Sequence, residues 1–302
     1  MTTAVTQAPA ADTRHVDVLI AGAGISGIGS AYHLQEQCPG KSYLILEMQD
    51  SFGGTWKTHK YPGVRSDSDL YTFGYRFKPW LGAPIASAEE ILKYMGEVID
   101  ENGIDEHILY GHRIARCSWS SEDNLWTIEA TRLSDDAPVT VTCNFLWMCQ
   151  GYYDHEKPYI PDWKGMDSYQ GQFVHAQLWD PDTDYSGKRV LVIGSGATAA
   201  TVIPAFAEKA EHVTMLQRSP TYFFCSENKN ELADQLREIG IDEPTIHRVV
   251  RAQIMYDQDV LTRRCLDEPD VVFEELKELV REFIGQDFEF EPHFVPKYRP
   301  WQ

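Results

Sequence analysis

The sequence predicts an α/β protein: two strand–turn–helix–strand units, a small antiparallel β-meander, and a helical C-terminal segment. Three observations carry that reading. Apolar runs enter glycine-rich turns and leave as helical patterns in two places, VDVLIAGAGISG from Val16 and KRVLVIGSGATAA from Lys188. Between them, RIARCSWSSEDNLWTIEATRLSDDAPVTVTCNFLWMC alternates with period two and is broken by turn residues at SEDN and SDDAP. After the second unit the chain reads as helices, separated by Gly240, Pro244 and Pro269.

Composition sets the limits. The 302 residues are enough for two domains of ordinary size, and 43% hydrophobic with 24% charged residues describes a soluble, globular chain. Forty-six acids against 27 Lys and Arg give a net charge of -19, which repels phosphate backbones and anionic lipid. Nucleic acid and membrane surfaces are therefore poor partners. The six cysteines, at 38, 117, 143, 149, 225 and 265, have no CxxC and no zinc spacing. They read as reduced and structural, with no metal site and no redox dithiol. No secretory signal and no apolar run of transmembrane length is present, so a cytoplasmic location is expected. Residues 1–15 read as a disordered polar tail, with the fold starting at Val16.

In the first unit, the strand run Val16–Ala21 enters Gly22-x-Gly24-x-x-Gly27. A helical pattern follows, then a second strand, SYLILE, ending in Glu47. Glycines at this spacing permit a tight turn, the approach of a pyrophosphate and close helix packing. The helix N-terminus faces the phosphates and the acid can bind a ribose diol. This is the fingerprint of a Rossmann-like dinucleotide site.

In the second unit, Gly194-x-Gly196 is followed by Ala199 at the third small position, a helix, and the strand HVTMLQRS. The residue at the end of that strand is Arg218 rather than an acid. An arginine there suits a 2′-phosphate and hence NADPH over NADH, although the same pattern fits an ordinary surface arginine. Gln217 and Ser219 flank it. A chain with two such sites usually holds FAD first and NAD(P)H second. The predicted organisation is a FAD-binding domain over 16–150, a linker over 151–187 and the start of an NADPH-binding domain over 188–302. The run FLWMC reads as a buried strand returning to the first site.

Residues 53–80 read GGTWKTHKYPGVRSDSDLYTFGYRFKPW. Gly53 and Gly54 let backbone approach a ring system, and Trp56 and Tyr61 offer aromatic surface. Arg65 and Asp67 stand two apart in an extended stretch. Ser66-Asp67-Ser68-Asp69 precedes Leu70, so local pattern leaves open whether Asp67 caps a helix or acts in chemistry. Arg65 is equally compatible with a surface ion pair.

GGTW…YPGVRSDSD, the two fingerprints, and YQGQFVHAQLWD between them resemble the class B flavoprotein monooxygenases, in particular the Baeyer–Villiger monooxygenases. That family's signature is an aromatic residue, Gly, His, Trp and then Pro or Asp. Its places are filled here by Tyr169, Gly171, His175, Trp179 and Asp180. Tyrosine at the first place is a mild departure. YPG, RSDSD and PTYFF are similar to wording in the actinobacterial ketone monooxygenases that also activate thioamide prodrugs.

The resemblance implies a FAD- and NADPH-dependent enzyme. It would insert one oxygen atom of O2 into a ketone to give an ester or lactone, with sulfide or thioamide oxygenation as a further activity. An N- or S-oxygenating flavoenzyme is the alternative. It implies FAD contacts from Gly22, Gly24, Ser26, Gly27, Glu47, Thr55, Trp56, Lys57, Thr58 and, more weakly, Ile114. It implies NADPH contacts from Gly194, Ser195, Gly196, Ala197, Thr198, Ala199, Ala200, Gln217 and Arg218. Arg65, Ser66 and Asp67 would line the nicotinamide side, with Asp67 and Arg65 in the chemistry. His175 would couple NADPH binding to domain motion, donating hydrogen bonds to backbone while Trp179 anchors one end by packing.

The sequence also departs from that family. Its active arginine follows a YNPW-like stretch, and this chain ends at PKYRPWQ. Arg299 precedes Pro-Trp and is out of register. No strands follow HVTMLQRS to complete a sheet. The sequence is therefore expected to be the N-terminal part of a longer enzyme, poorly active or unstable alone, or a nucleotide-binding fragment that needs its C-terminal portion. Oligomeric state is not legible.

Overall fold

The computed structural model describes residues 12–301. The chain forms two compact units. One takes the described residues up to His59 and Glu89–Gly171, and the other takes Lys60–Ala88 with the described residues from Gln172 onward.

The first unit is built on a six-stranded sheet. Strand β1 (Asp12–Ala21) leads into helix α1 (Ile25–Gln37) and strand β2 (Tyr43–Leu46). A single turn, α2 (Thr55–Thr58), follows. Helix α3 (Leu70–Phe73) belongs to the second unit, and α4 (Ala88–Glu101) returns to the first. Strands β3 (Ile108–Leu109), β4 (His112–Ser120), β5 (Leu125–Arg132) and β6 (Ala137–Met148) complete it. The strand order is β3-β2-β1-β6-β5-β4. β1 pairs parallel with β2 and β6, and β6, β5 and β4 pair antiparallel. The meander is thus continuous with the nucleotide sheet rather than a separate cover. Its last strand runs beside β1 in register Leu19↔Leu146 and Ala21↔Met148, so FLWMC does return along the first strand, but Phe145, Trp147 and Met148 are exposed and the strand is not buried as expected.

Burial explains these elements. Leu19, Ile20, Ile45 and Leu46 are buried, as parallel strands covered on both faces demand. Each such side chain stabilises the fold by roughly 1.5–3 kcal/mol. On α4, Ile91, Tyr94, Met95, Val98 and Ile99 are buried while Glu89, Glu90, Lys93 and Glu97 are exposed, an amphipathic helix of ordinary period. β1 begins at Asp12, not Val16, because Asp12–His15 pair with Val139–Thr142 of β6. The predicted tail is therefore shorter by these residues, and its first eleven positions lie outside the described residues.

The second unit contains the parallel pair β7 (Arg189–Ile193) and β8 (His212–Leu216), joined by α5 (Ala197–Ala207). Tyr61, Val202 and Phe206 form one of its core clusters with Val190, Val192, Val213, Trp179 and Tyr185, and Cys265, Val272 and Leu276 form another. The opposite face of the pair exposes Leu191, Ile193 and Leu216. Among the described residues no strand follows β8. Helices α6 (Glu231–Glu238), α7 (Glu243–Asp267) and α8 (Pro269–Ile284) follow, close to the predicted helical runs.

The units divide the chain differently from the predicted boundaries. Residues 60–88, expected within the FAD-binding half, group with the second glycine turn. A set of polar side-chain anchors ties them there. Arg251 of α7 donates to the carbonyls of Tyr71, Thr72 and Gly74 at 2.8, 2.9 and 3.2 Å, closing the end of α3. Arg237 donates to the Tyr71 hydroxyl at 2.9 Å and to Glu243 at 2.8 Å. The Asn228 side chain accepts from the Ile85 N–H at 2.8 Å and donates to its carbonyl at 2.9 Å.

Candidate functional site: two glycine turns and the segment between them

Each glycine turn leaves a helix N-terminus open. α1 and α5 begin at Gly24 and Gly196, with no side-chain cap and no acid in the first turn. By contrast, Asp69, Asn230 and Asp242 each accept a backbone N–H at the starts of α3, α6 and α7, while α2 and α8 also lack a side-chain cap. Uncapped N–H groups with the positive end of the helix dipole are what a pyrophosphate requires. Both turns therefore fit the phosphates of a dinucleotide.

At the first turn Gly22 lies at φ 103° and its N–H donates to the Leu46 carbonyl at 2.8 Å. A Cβ on Gly27 would run into the Gly22 carbonyl oxygen, so the helix packs on the turn as closely as glycine allows. Glu47 is buried, at 7% exposure. Its Oε2 accepts the Ala23 N–H at 2.7 Å and its Oε1 accepts the Gln49 N–H at 2.8 Å. Sequence reasoning gave Glu47 to a ribose; the geometry adds a second task, bracing the turn. Each carboxylate oxygen keeps a lone pair for a diol. Ser26 is exposed in the first turn of α1. Thr55, Trp56, Lys57 and Thr58 form α2, where the Thr58 hydroxyl donates to the Gly54 carbonyl and accepts from Gln49, both at 2.9 Å. Ile114 packs its side chain against the sheet core beside a bulge, so an adenine contact there would come from backbone.

At the second turn the Gly194 N–H donates to the Leu216 carbonyl at 2.8 Å. Gly194, Ser195, Gly196 and Ala197 are half-buried or exposed, Thr198 and Ala200 half-buried and Ala199 buried against the unit. Gln217 donates through Nε2 to the His293 carbonyl at 2.7 Å. Its Oε1 is buried without a hydrogen-bond partner, an acceptor suited to a ribose hydroxyl. Arg218 is exposed next to it.

In the intervening segment Arg65 and Asp67 are exposed and Ser66, at 2% exposure, is buried between them. Arg65 bridges to Ser87, the Ser66 N–H donates to the Ala86 carbonyl at 2.8 Å, and its hydroxyl donates to the Ser68 carbonyl at 2.7 Å. The two charged residues are thus exposed on either side of a pinned, buried Ser66. The cap of α3 is Asp69, whose carboxylate accepts the Tyr71 N–H at 2.9 Å. Burial raises the Asp69 pKa and that hydrogen bond opposes it. Asp67 is thereby released from the capping reading that the local pattern left open.

The signature spans the boundary between the units, which falls between Gly171 and Gln172. Trp179 packs on Phe206 and Tyr185, at ring distances of 5.5 and 6.1 Å, and so anchors the second side as expected. The His175 Nδ1 accepts the Gln177 N–H at 3.2 Å, capping the short 3-10 turn Ala176–Leu178, which leaves Nε2 as the ring nitrogen able to donate.

Sequence reasoning missed Asp69, Arg237 and Arg251. An Asp directly before an apolar helical start was a usable signal for Asp69. Nothing in the helical pattern of α7 marks Arg251, because its partners are carbonyls distant in sequence. Among the described residues no cluster of metal-ligating side chains occurs, and no helix is long and apolar enough to cross a membrane.

A family model for NAD(P)-binding Rossmann-like domains matches residues 20–80, and one for flavin-binding monooxygenase-like proteins matches residues 85–232. The FAD-containing monooxygenase EthA of Mycobacterium tuberculosis is 41% identical over 291 residues, 96% of this chain and 59% of that protein. Its Mycolicibacterium smegmatis namesake is 43% identical over 96% of this chain and 58% of its own length. The chain thus spans under two thirds of the relatives it matches. Among solved structures, cyclohexanone monooxygenase from Rhodococcus sp. Phi1 bound to NADP+ superposes with a TM-score of 0.62 at 27% identity, covering 75% of this chain and 43% of that one. The OTEMO complex with FAD and NADP gives 0.61 at 31% identity, covering 74% and 43%.

Proposed function

We propose, from the premise that this chain belongs to the flavin-binding monooxygenase-like family, that it contributes the FAD and NADPH sites of an enzyme that inserts one oxygen atom of O2 into a ketone. The carrying observation is that the two long helices that follow glycine fingerprints, α1 and α5, start at a glycine with no side-chain cap and no acid in the first turn, while side chains of Asp or Asn cap α3, α6 and α7.

Gly22, Gly24, Ser26 and Gly27 would cradle the FAD pyrophosphate, Glu47 would accept from its ribose, and Thr55–Thr58 would lie along the cofactor. Gly194–Ala200 would hold the NADPH pyrophosphate. Gln217 Oε1 would accept a ribose hydroxyl and Arg218 would pair with the 2′-phosphate. When bound, FAD supplies acceptance of the NADPH hydride and activation of dioxygen.

The chain's own residues then handle charge and order. Arg65 would line the nicotinamide side with Asp67, and Asp67 would position and moderate the arginine that meets negative charge developing on oxygen. Ser66 keeps both at fixed spacing through its buried hydrogen bonds. His175 and Trp179 hold the segment that joins the two units, so that nucleotide binding in the second is felt at the segment. Small ketones, with sulfides as a second class, are the substrates this reading supports.

The test is the absorption spectrum of the purified chain before and after anaerobic NADPH, then product analysis on a ketone and sulfide panel. Bound flavin that bleaches, and ester from ketone, support the proposal. A folded chain that binds neither flavin nor NADPH overturns it. Sulfoxide or N-oxide with no ester points to the S- or N-oxygenating alternative.

A further inference from the structure

Asn228 lies in the loop between β8 and α6, and its side-chain amide imitates the backbone of a strand. The Ile85 N–H donates to its Oδ1 at 2.8 Å, and its Nδ2 donates to the Ile85 carbonyl at 2.9 Å. Only this orientation of the amide satisfies both groups. On its other edge the stretch 84–88 runs against the segment that carries Arg65 and Asp67. The Leu70 N–H donates to the Pro84 carbonyl at 2.8 Å, the Ser66 N–H to the Ala86 carbonyl at 2.8 Å, and the Ala88 N–H to the Val64 carbonyl at 3.0 Å. Arg65 and Ser87 form the antiparallel bridge between the two stretches.

Alternate residues of an extended strand turn their backbone groups to opposite edges. Residues 84, 86 and 88 face the Arg65 segment, so Ile85 faces away, and Asn228 closes that outer edge as a third strand would. Asn228 is itself held in place: two residues on, Asn230 caps α6 by accepting the Ala233 N–H at 2.9 Å. Arg65 and Asp67 are exposed, so their place depends on this backbone pairing and not on packing of their own side chains.

We propose that Asn228 is a positioning residue for the Arg65–Asp67 pair: its two hydrogen bonds to Ile85 hold the stretch 84–88 at the register on which Ser66 is pinned, and so fix where the two charges stand. This rests on the reading of Arg65 and Asp67 as residues of the oxygenating site. The loop that carries Asn228 leaves β8 at Gln217 and Arg218, so the support of the pair begins at the strand end read as the NADPH site.

The experiment compares the chain as it stands with Asn228→Ala and Asn228→Asp, in two arms. Amide hydrogen exchange, read residue by residue, is expected to quicken about tenfold at Ser66 and Ala88 in Asn228→Ala. The Gly194 amide, which donates to the Leu216 carbonyl, is the folded control and keeps its wild-type rate. Asn228→Asp retains an acceptor for the Ile85 N–H but sets a carboxylate oxygen against the Ile85 carbonyl, and is expected to do no better than alanine. In the second arm, ester formation from a ketone is expected to fall about tenfold in kcat for Asn228→Ala, with KM for NADPH within about twofold of wild type. Unaltered exchange at Ser66, wild-type rates in Asn228→Asp, or faster exchange with kcat unchanged each overturn the inference and leave the site reading standing. So does a loss of Gly194 protection with kcat and KM impaired together, which marks general unfolding. A wild-type chain that binds flavin and NADPH yet makes no oxygenated product overturns the site reading and the inference with it; faster exchange in Asn228→Ala then makes the residue a structural clamp only.

Discussion

The Glu47 carboxylate closes the first glycine turn by accepting the backbone N–H of Ala23 at 2.7 Å, while its other oxygen takes the N–H of Gln49 at 2.8 Å. Both donors need an acceptor, and only a carboxylate offers two. In Glu47→Gln one N–H faces an amide NH2 instead. A buried donor without a partner costs about 1–3 kcal/mol. The expected result is a lower urea midpoint by that amount, together with weaker FAD retention on dialysis. An unchanged midpoint with lost FAD would assign Glu47 to the ribose alone.

The two aspartates of the SDSD stretch are expected to separate cleanly. Asp69→Ala removes the α3 cap and costs about 0.5–2 kcal/mol, whereas Asp67→Ala, at an exposed position, stays within about 0.5 kcal/mol and loses oxygenation instead. Thermal unfolding and ester yield, measured on both, check this. Loss of stability in Asp67→Ala with ester formation intact would reverse the roles.

Asp69 also gives a pH dependence. Its pKa in the fold is raised above the ordinary 3.8 by burial. The native state therefore binds more protons than the unfolded chain between those two values. The sign follows: stability from this group is fullest below pH 3.8 and declines as pH rises through the native pKa. Asn at this position keeps a capping oxygen without charge, so Asp69→Asn is expected to flatten that part of the stability profile and to be no less stable than wild type at pH 7. Denaturant midpoints from pH 4 to 7, approximate bounds for the titration of a partly buried carboxyl, measure it. A steeper decline in the Asn variant would show that the cap needs the charge.

Arg218 is exposed at the end of β8, beside a Gln217 whose Oε1 lacks a partner. A hydrogen bond to a charged group contributes about 1.5–3 kcal/mol. Arg218→Ala is therefore expected to weaken NADPH by roughly ten- to a hundredfold and to leave NADH unchanged. Parallel titrations with the two nucleotides check it, and equal losses for both would make Arg218 a general structural residue.

How much of this was legible can be judged element by element. The glycine turns, β1, β2, β7, β8, the meander and the C-terminal helices follow from local periodicity and glycine spacing, which act over a few residues. The His-Trp segment was found by its pattern, and Trp179 packs as an anchor should. What escaped was long-range. Residues 60–88 group with the second unit because Arg251, Arg237 and Asn228 bind backbone and side chains more than a hundred positions away, and no periodicity records such pairings. Glu47 as a brace escaped for a related reason: its partners are N–H groups, which every residue but proline has. The choice between Asp67 and Asp69 as cap turned on where α3 begins, and boundaries are the least certain part of a local reading.

His175 and Trp179 offer the last separation. Trp179 is half-buried against Phe206 and Tyr185. Trp179→Ala is expected to cost about 2 kcal/mol, less than the roughly 3–5 kcal/mol of a fully buried indole. His175 makes a weaker structural contribution, one accepted hydrogen bond at 3.2 Å. Asn supplies an equivalent oxygen, so His175→Asn is expected to hold its melting temperature. If the histidine is needed beyond that cap, the same variant reduces bound flavin more slowly with NADPH while retaining FAD, as seen in anaerobic stopped-flow absorbance. Reduction at the wild-type rate would make His175 a cap and nothing more, and would move the coupling between the units from the imidazole to the Trp179 anchor.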